Sequence, residues 1–329
     1  MSNIRLFHVN AFSQQPFGGN PAVVVLGPAL PDASQLAMAA EFNLSETAFL
    51  VQLGRAHYQL RWFTPTVEVD LCGHGTLAAA HVLWQTGAVA AHETIRFETR
   101  SGELLARREG EWIWLDFPRI ALTPLTLDPA YAAAIGCQPR QTLAAGAKFL
   151  LELASEEEIR TLSPDFHALR ALPGRGLIVT APSSRADDDF VSRYFAPWVG
   201  VDEDPVTGSN HCALAPFWAE RLGRQQLRAR QVSSRGGDLR LELRGERVLM
   251  AGQGLTLWQG EWLLPLSWAR YLRHKKRPAV AGRFIAIEAQ ARPAYRAYFC
   301  CGRKAGNRMT SRMVWLLVNS MTRRSIPIP

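Results

Sequence analysis

Along most of the chain, short apolar runs that alternate with polar residues give way to longer stretches with helical spacing. Residues 4–9 and 22–26 read as strands around a glycine turn, Phe17-Gly18-Gly19-Asn20-Pro21. From Asp32 to Phe42, the positions of Leu36, Ala39, Ala40 and Phe42 suit an amphipathic helix, with Pro31 at its start. Residues 47–51 and 58–63 return to the strand pattern, and a helix opens at Gly75-Thr76, runs through Trp84 and stops near Gly87. Strands over 94–98, 104–108 and 112–117 close this half as a meander.

The second half has the same grammar. Residues 130–135 before Gly136, residues 156–162, and an apolar stretch from about Asn210 to Leu222 ended by Gly223 predict helices. Residues 176–180, 238–243, 247–251, 255–258 and 262–264 predict strands, the last four as a second antiparallel series. Two mixed lobes are implied, residues 1–118 and 119–266, joined near Pro118 to Pro124. A faint internal repeat supports this. Asp70-Leu-Cys-Gly-His-Gly-Thr76 and Asp204-Pro-Val-Thr-Gly-Ser-Asn210 each lead a glycine turn into a helix of small residues. The plainer reading is that any buried helix starts this way.

Composition narrows the class. With 329 residues and 47% apolar content the chain can bury a large core. The N-terminus lacks the pattern of a signal peptide, and no apolar run approaches the ~20 residues a membrane span needs, so a soluble, cytoplasmic protein with no membrane partner is expected. Five scattered cysteines (Cys72, Cys137, Cys212, Cys300, Cys301) without a C-x-x-C pair argue against a disulfide framework or a zinc ribbon. The net charge of +8 invites a nucleic-acid reading, but its location argues against one. Residues 267–329 hold fourteen Lys and Arg against the single acid Glu288, so this tail carries +13 and residues 1–266 carry −5. The tail is expected to be a basic extension, as a docking arm, an added helix pair or the product of a shifted reading frame.

A glycine turn entering a helix makes an anion seat, because the first N–H groups lack partners and the dipole is positive there. Two such seats facing each other would hold a small carboxylic acid and stabilise negative charge formed during reaction. Glu46, in Asn43-Leu-Ser-Glu-Thr-Ala-Phe-Leu50, lies where a helix ends and an apolar strand begins. Partial desolvation there would raise its pKa toward a range useful for moving protons. The competing reading is a solvated helix-terminal acid. His74 and His211 have no second ligand at i+3 or i+4 with an acidic partner, which argues against a metal site. Cys72 beside Gly73 reads as packing, since free Cys is among the most buried residue types.

Four ordered motifs now carry a resemblance. Phe17-Gly-Gly-Asn-Pro-Ala22, Ser45-Glu-Thr-Ala-Phe49, Phe63-Thr-Pro65 with Glu68-Val-Asp-Leu-Cys-Gly-His-Gly-Thr76, and Glu203-Asp-Pro-Val-Thr-Gly-Ser209 resemble the successive signatures of the PhzF phenazine-biosynthesis-like proteins. The likeness covers about residues 4–265. It implies an α+β, diaminopimelate epimerase-like fold: two similar lobes, each a mostly antiparallel sheet wrapped around a central helix. It also implies an isomerase that needs neither metal nor cofactor, acts on a small anionic metabolite between the lobes, and forms a homodimer. By the same likeness the general acid/base falls on Glu46, with His74, Asp204 and Ser209 as its catalytic companions. Asn20, Gly73, Gly75, Thr207 and Gly208 would line the substrate site. An amino-acid epimerase or racemase, or a silent ligand-binding protein of the same fold, are the alternatives.

Overall fold

A computed structural model describes residues 4–263. The basic extension at 267–329 lies outside the described residues, as does the last residue of the strand expected over 262–264. Trp262 and Leu263 belong to no strand.

The first half of the chain contains β1 (Arg5–Ala11), β2 (Asn20–Leu26), α1 (Asp32–Phe42), β3 (Thr47–Gly54), β4 (His57–Phe63), the short β5 (Glu68–Val69), α2 (Gly73–Gln85), β6 (Ile95–Thr99), β7 (Gly102–Glu109) and β8 (Trp112–Pro118). The second half contains β9 (Leu122–Pro124), α3 (Pro129–Ile135), β10 (Gln141–Ala145), β11 (Lys148–Glu152), α4 (Glu156–Thr161), α5 (Phe166–Ala171), β12 (Leu177–Pro182) and β13 (Phe190–Ala196). It continues with β14 (Val201–Glu203), α6 (Gly208–Leu222), β15 (Gln226–Gln231), β16 (Gly237–Arg244), β17 (Arg247–Gly252) and β18 (Gly254–Glu261).

Strand pairing makes the internal repeat explicit. In the first half β1–β2 is antiparallel, β2–β3 parallel, β3–β4 antiparallel, β4–β6 parallel, and β6–β7 and β7–β8 antiparallel. The second half runs through the same sequence of senses from β10 to β17. Each parallel step follows a helical crossover, as parallel neighbours require. Within the second half β9 pairs with β10, whereas β18, which follows β17, crosses back to the first half and pairs with β1. Residues 255–258 therefore do not continue the second half's antiparallel series. Pairing of β8 with β17 joins the two sheets into one.

Helices α2 and α6 are buried on nearly every side, α2 from His74 to Trp84 except His81. Their small residues (Ala78, Ala79, Ala80; Ala213, Ala215, Ala219) let strands approach closely around them. The sheet faces away from these helices are covered as well. In β2, Ala22 and Val24 face the central core while Val23 and Val25 pack with Met38 and Ala39 of α1. That double cover explains the continuous apolar run of this strand. In the second half Leu150 and Ile178 face the central core, and Leu151 and Val179 pack with Ile159 and Leu169 from α4 and α5. Among the tryptophans, Trp62 is buried in β4, Trp84 and Trp218 are buried in α2 and α6, and Trp258 is 44% exposed. Among the described residues no helix is long and apolar enough to cross a membrane.

Candidate active site

The two glycine turns meet. A Cβ placed on Gly73, the first residue of α2, would stand 3.5 Å from the Cα of Gly208, the first residue of α6. The two helix starts thus lie in van der Waals contact, and each brings its first N–H groups to the same place. Gly75 is constrained from the other side, since a Cβ there would come within 2.7 Å of the Trp62 ring.

Asn20 ties the halves together. It opens β2 directly after the Phe17–Gly19 turn, where Gly19 has φ +66° and a Cβ would collide with the Ala11 carbonyl. Arg235 holds this turn from the second half, donating to the carbonyls of Gly19 (2.8 Å) and Gly18 (3.0 Å) and to Asn10 Oδ1 (3.1 Å). The fully buried Asn20 amide donates through Nδ2 to Asp204 Oδ1 (2.8 Å) and to the Val206 carbonyl (2.9 Å). Both partners only accept, which fixes the orientation of the amide.

His74 lies against that amide. Its Nδ1 is 3.3 Å from the Asn20 NH2 group and 3.6 Å from Cys72 Sγ, and its Nε2 is 3.3 Å from Glu46 Oε2 and 3.4 Å from Ser45 Oγ, so the ring bridges the cross-half bond and the Glu46 carboxyl. Glu46 stands between the left-handed Asn43 cap of α1 and the first residue of β3, with its side chain 21% exposed. Burial raises its carboxyl pKa above the ordinary range; His74 opposes the shift, the charge of Asp204 adds to it, and the Ser45 hydroxyl opposes it.

Cys72 caps α2, accepting from the Gly75 N–H at 3.3 Å, and is buried. Burial first, and the Glu46 carboxylate second, push its thiol well above the usual range, so it stays protonated. Glu46, Cys72 and His74 offer three potential metal-ligand atoms within 4.8 Å of one another, a grouping that the i+3 and i+4 test could not find because the partners come from elsewhere in the chain. The geometry suits an ion poorly. Cys72 Sγ is nearly equidistant from the two ring nitrogens of His74 (3.6 and 3.9 Å), so it lies beside the ring and not ahead of either lone pair. Nδ1 in turn faces the Asn20 amide.

In the second half Asp204 Oδ2 accepts from the Thr207 hydroxyl, and Gln231 braces the turn by accepting from the Thr207 N–H (2.9 Å) and donating to the Asp204 carbonyl (2.7 Å). Ser209 Oγ accepts from Lys148 Nζ at 2.9 Å. His211 is fully buried, with Nδ1 against the Thr207 carbonyl at 3.0 Å, and burial lowers its pKa to about 4. It belongs to the core of α6. Of the nine residues singled out in the sequence, Asn20, Glu46, Gly73, His74 and Gly75 from the first half and Asp204, Thr207, Gly208 and Ser209 from the second surround the junction of the two helix starts. A surface concavity of about 800 Å³ beside Trp114, Asp187 and Arg228 contains none of them.

Sequence reasoning missed Lys148 and Gln231. Lys148 had a signal: Gly146-Ala-Lys-Phe-Leu-Leu151 follows the plan of Gly18-Gly-Asn-Pro-Ala-Val23, with a glycine turn leading into an apolar strand. Gln231, at the end of β15, had none.

A family profile described as phenazine biosynthesis-like protein matches residues 9–260. An uncharacterized isomerase of Pseudomonas aeruginosa is 50% identical over 256 residues, covering 77% of this chain and 97% of that protein. The crystal structure of a PhzF-family phenazine biosynthesis protein from Enterococcus faecalis superposes with a TM-score of 0.76 at 43% identity, over 80% of this chain and all of the other. A predicted epimerase from Pseudomonas aeruginosa shares the fold, with a TM-score of 0.62 at 21% identity over 80% of this chain and all of that one.

Proposed function

The chain belongs to the phenazine biosynthesis-like protein family and is an enzyme of the isomerase and epimerase kind, and from that premise we propose that it relocates a proton on a small carboxylate-containing metabolite with Glu46 as general acid and base. The observation that carries this reading is the Glu46 carboxyl. It is largely shielded from water, raised in pKa and 3.3 Å from the ring nitrogen of His74, beside the junction of two helix starts. A carboxyl whose pKa is raised by burial is better suited both to take and to return a proton.

The chemistry balances without an added reactant. Glu46 removes a proton from a carbon acidified by an adjacent unsaturated or carboxyl group. The electron pair passes into that group, where helix N–H donors stabilise the charge, and the Glu46 carboxyl, 21% exposed and so open to exchange with solvent, then delivers a proton to a different carbon of the same molecule. His74, with Nε2 3.3 Å from Glu46 Oε2, holds the Glu46 carboxyl in place, and Asp204, tied to Asn20 across the halves, keeps the two helix starts in register. Ser209 offers its hydroxyl to the substrate from the opposite side.

The racemase alternative needs a second acid on the facing helix start. The residue corresponding there to Cys72 is Thr207, and Cys212 is buried inside α6, where burial raises its thiol to about 12. A two-thiol mechanism thus has no second thiol. The test is incubation of the enzyme in D2O with a panel of small unsaturated amino and keto acids, followed by mass and NMR analysis. A processed acid should gain solvent deuterium with the wild type and not with Glu46→Gln. Incorporation at the normal rate by that variant would overturn the role of Glu46.

A further inference from the structure

Lys148 is the residue of this region that the proton-transfer scheme leaves unused. It opens β11 as Asn20 opens β2, and each reaches the second residue of the central helix in its own half: Asn20 meets His74, and Lys148 meets Ser209. The chemistry at this shared position differs. The Asn20 amide is neutral and bound to the carboxylate of Asp204. The Lys148 ammonium donates to the Ser209 hydroxyl at 2.9 Å and to Asn210 Oδ1 at 2.7 Å and lies 4.8 Å from the centre of the Tyr194 ring. Among the described residues none of these partners carries a formal charge.

A cation held in a partly buried place by neutral acceptors has lost hydration without gaining a counter-ion. Its surroundings report that cost: burial lowers the Lys148 pKa to about 8. The charged or titratable groups acting on it are Cys212, Asp204 and Tyr194, with Arg175 opposing retention of the proton. Asp204 acts on Glu46 as well, which places Lys148 within electrostatic range of the same site. An anion arriving beside Ser209 would supply the missing charge.

We infer that Lys148, together with Ser209, holds the carboxylate of the substrate and so determines specificity for anions, while Glu46 handles the proton on the other side. This deepens the isomerase reading and rests on it for the location of the substrate. Lysine suits the role as a compact point charge whose three donors can serve Ser209, Asn210 and a ligand oxygen together.

The experiment compares benzoate with benzamide, its uncharged near-isostere, as probes of the full chain by NMR titration at pH 7. Wild type should bind benzoate about tenfold or more tightly than benzamide, the worth of a charge-assisted hydrogen bond. Lys148→Met should abolish the preference and Lys148→Arg should keep most of it; thermal melting of both variants verifies that they are folded. Raising the pH through 8 should weaken benzoate binding to wild type, since the ammonium loses its proton while benzoate stays charged, and should leave Lys148→Arg unchanged. A wild type indifferent to the two probes, or a folded Lys148→Met that still prefers benzoate, overturns the assignment. Should the preference fail while Glu46-dependent deuterium exchange persists, only the role of Lys148 falls. Should exchange fail while the preference holds, the proton-transfer reading falls alone.

Discussion

The first half of the molecule places Asn20, Glu46, Cys72 and His74 around the start of α2. At the corresponding places in the second half stand Lys148, Thr207 and Ser209, around the start of α6. The strand senses are the same and both helices start at glycine, so the backbone provides two equivalent seats. Side chains alone differentiate them. One seat has a shielded carboxyl and an imidazole, which are groups able to move protons. The other has acquired a hydroxyl and an ammonium without a counter-ion, which are groups that hold an anion. Under the proposed reading a symmetric frame serves an asymmetric reaction, because chemistry belongs to the residues at a site and not to the fold that presents them.

The most forceful way to break this division is to silence the proton-moving side. Glu46→Gln keeps shape and loses basicity, and should lower turnover by about 10²–10⁴, or roughly 3–5 kcal/mol of barrier, in a solvent-deuterium exchange assay. Next comes the bond joining the halves. Asp204→Ala strands two buried donors, Asn20 Nδ2 and the Thr207 hydroxyl, each worth on the order of 1–3 kcal/mol in urea unfolding. A double-mutant cycle with Asn20→Ala should show about 0.5–3 kcal/mol of coupling; simple additivity would mean that the contact across the halves contributes nothing.

Smaller effects sharpen the comparison. Gly75 and Asn210 occupy the third position of their helices. Gly75→Ala pushes a methyl group against Trp62 and should cost about 1–3 kcal/mol by overpacking. Asn210→Ala removes one acceptor from Lys148 and should cost only about 0.5–1.5 kcal/mol. The smallest effect is expected at Cys72. Serine preserves the helix cap, so Cys72→Ser should change stability by about 1 kcal/mol or less and leave turnover within a few-fold. Loss of turnover in that variant would restore a thiol mechanism.

Legibility in the sequence followed the strength of local pattern. The α1, α2 and α6 helices and the β4 and β8 strands have clear periods, β2 is a short apolar run after a glycine turn, and the sequence pattern locates them. The strands β10, β11, β13 and β15 lay in stretches with no strand expectation. The six residues of β15, Gln-Leu-Arg-Ala-Arg-Gln, bury only Leu227, Ala229 and Gln231, and the strand is stabilised by a parallel partner whose paired residues lie 39 positions back along the chain. Local propensity carries little information about such pairings. The return of β18 to β1 was invisible for the same reason. At the site, the meeting of Glu46, Cys72 and His74 could not be read from helical spacing, since they come from a loop, a cap and a helix. Motif likeness brought Glu46 and His74 forward, whereas Lys148 and Gln231 fall outside those motifs and emerged only from their contacts.

The most direct test of the account is the titration of the Glu46 carboxyl itself. With glutamate labelled by 13C at the carboxyl carbon, the signal lost in Glu46→Gln identifies the residue, and its shift is followed against pH. The account predicts a midpoint above those of the exposed glutamates, because burial disfavours the carboxylate. A midpoint at or below them would mean that water reaches Glu46 freely, and the proposed proton transfer would then lack its acid and base.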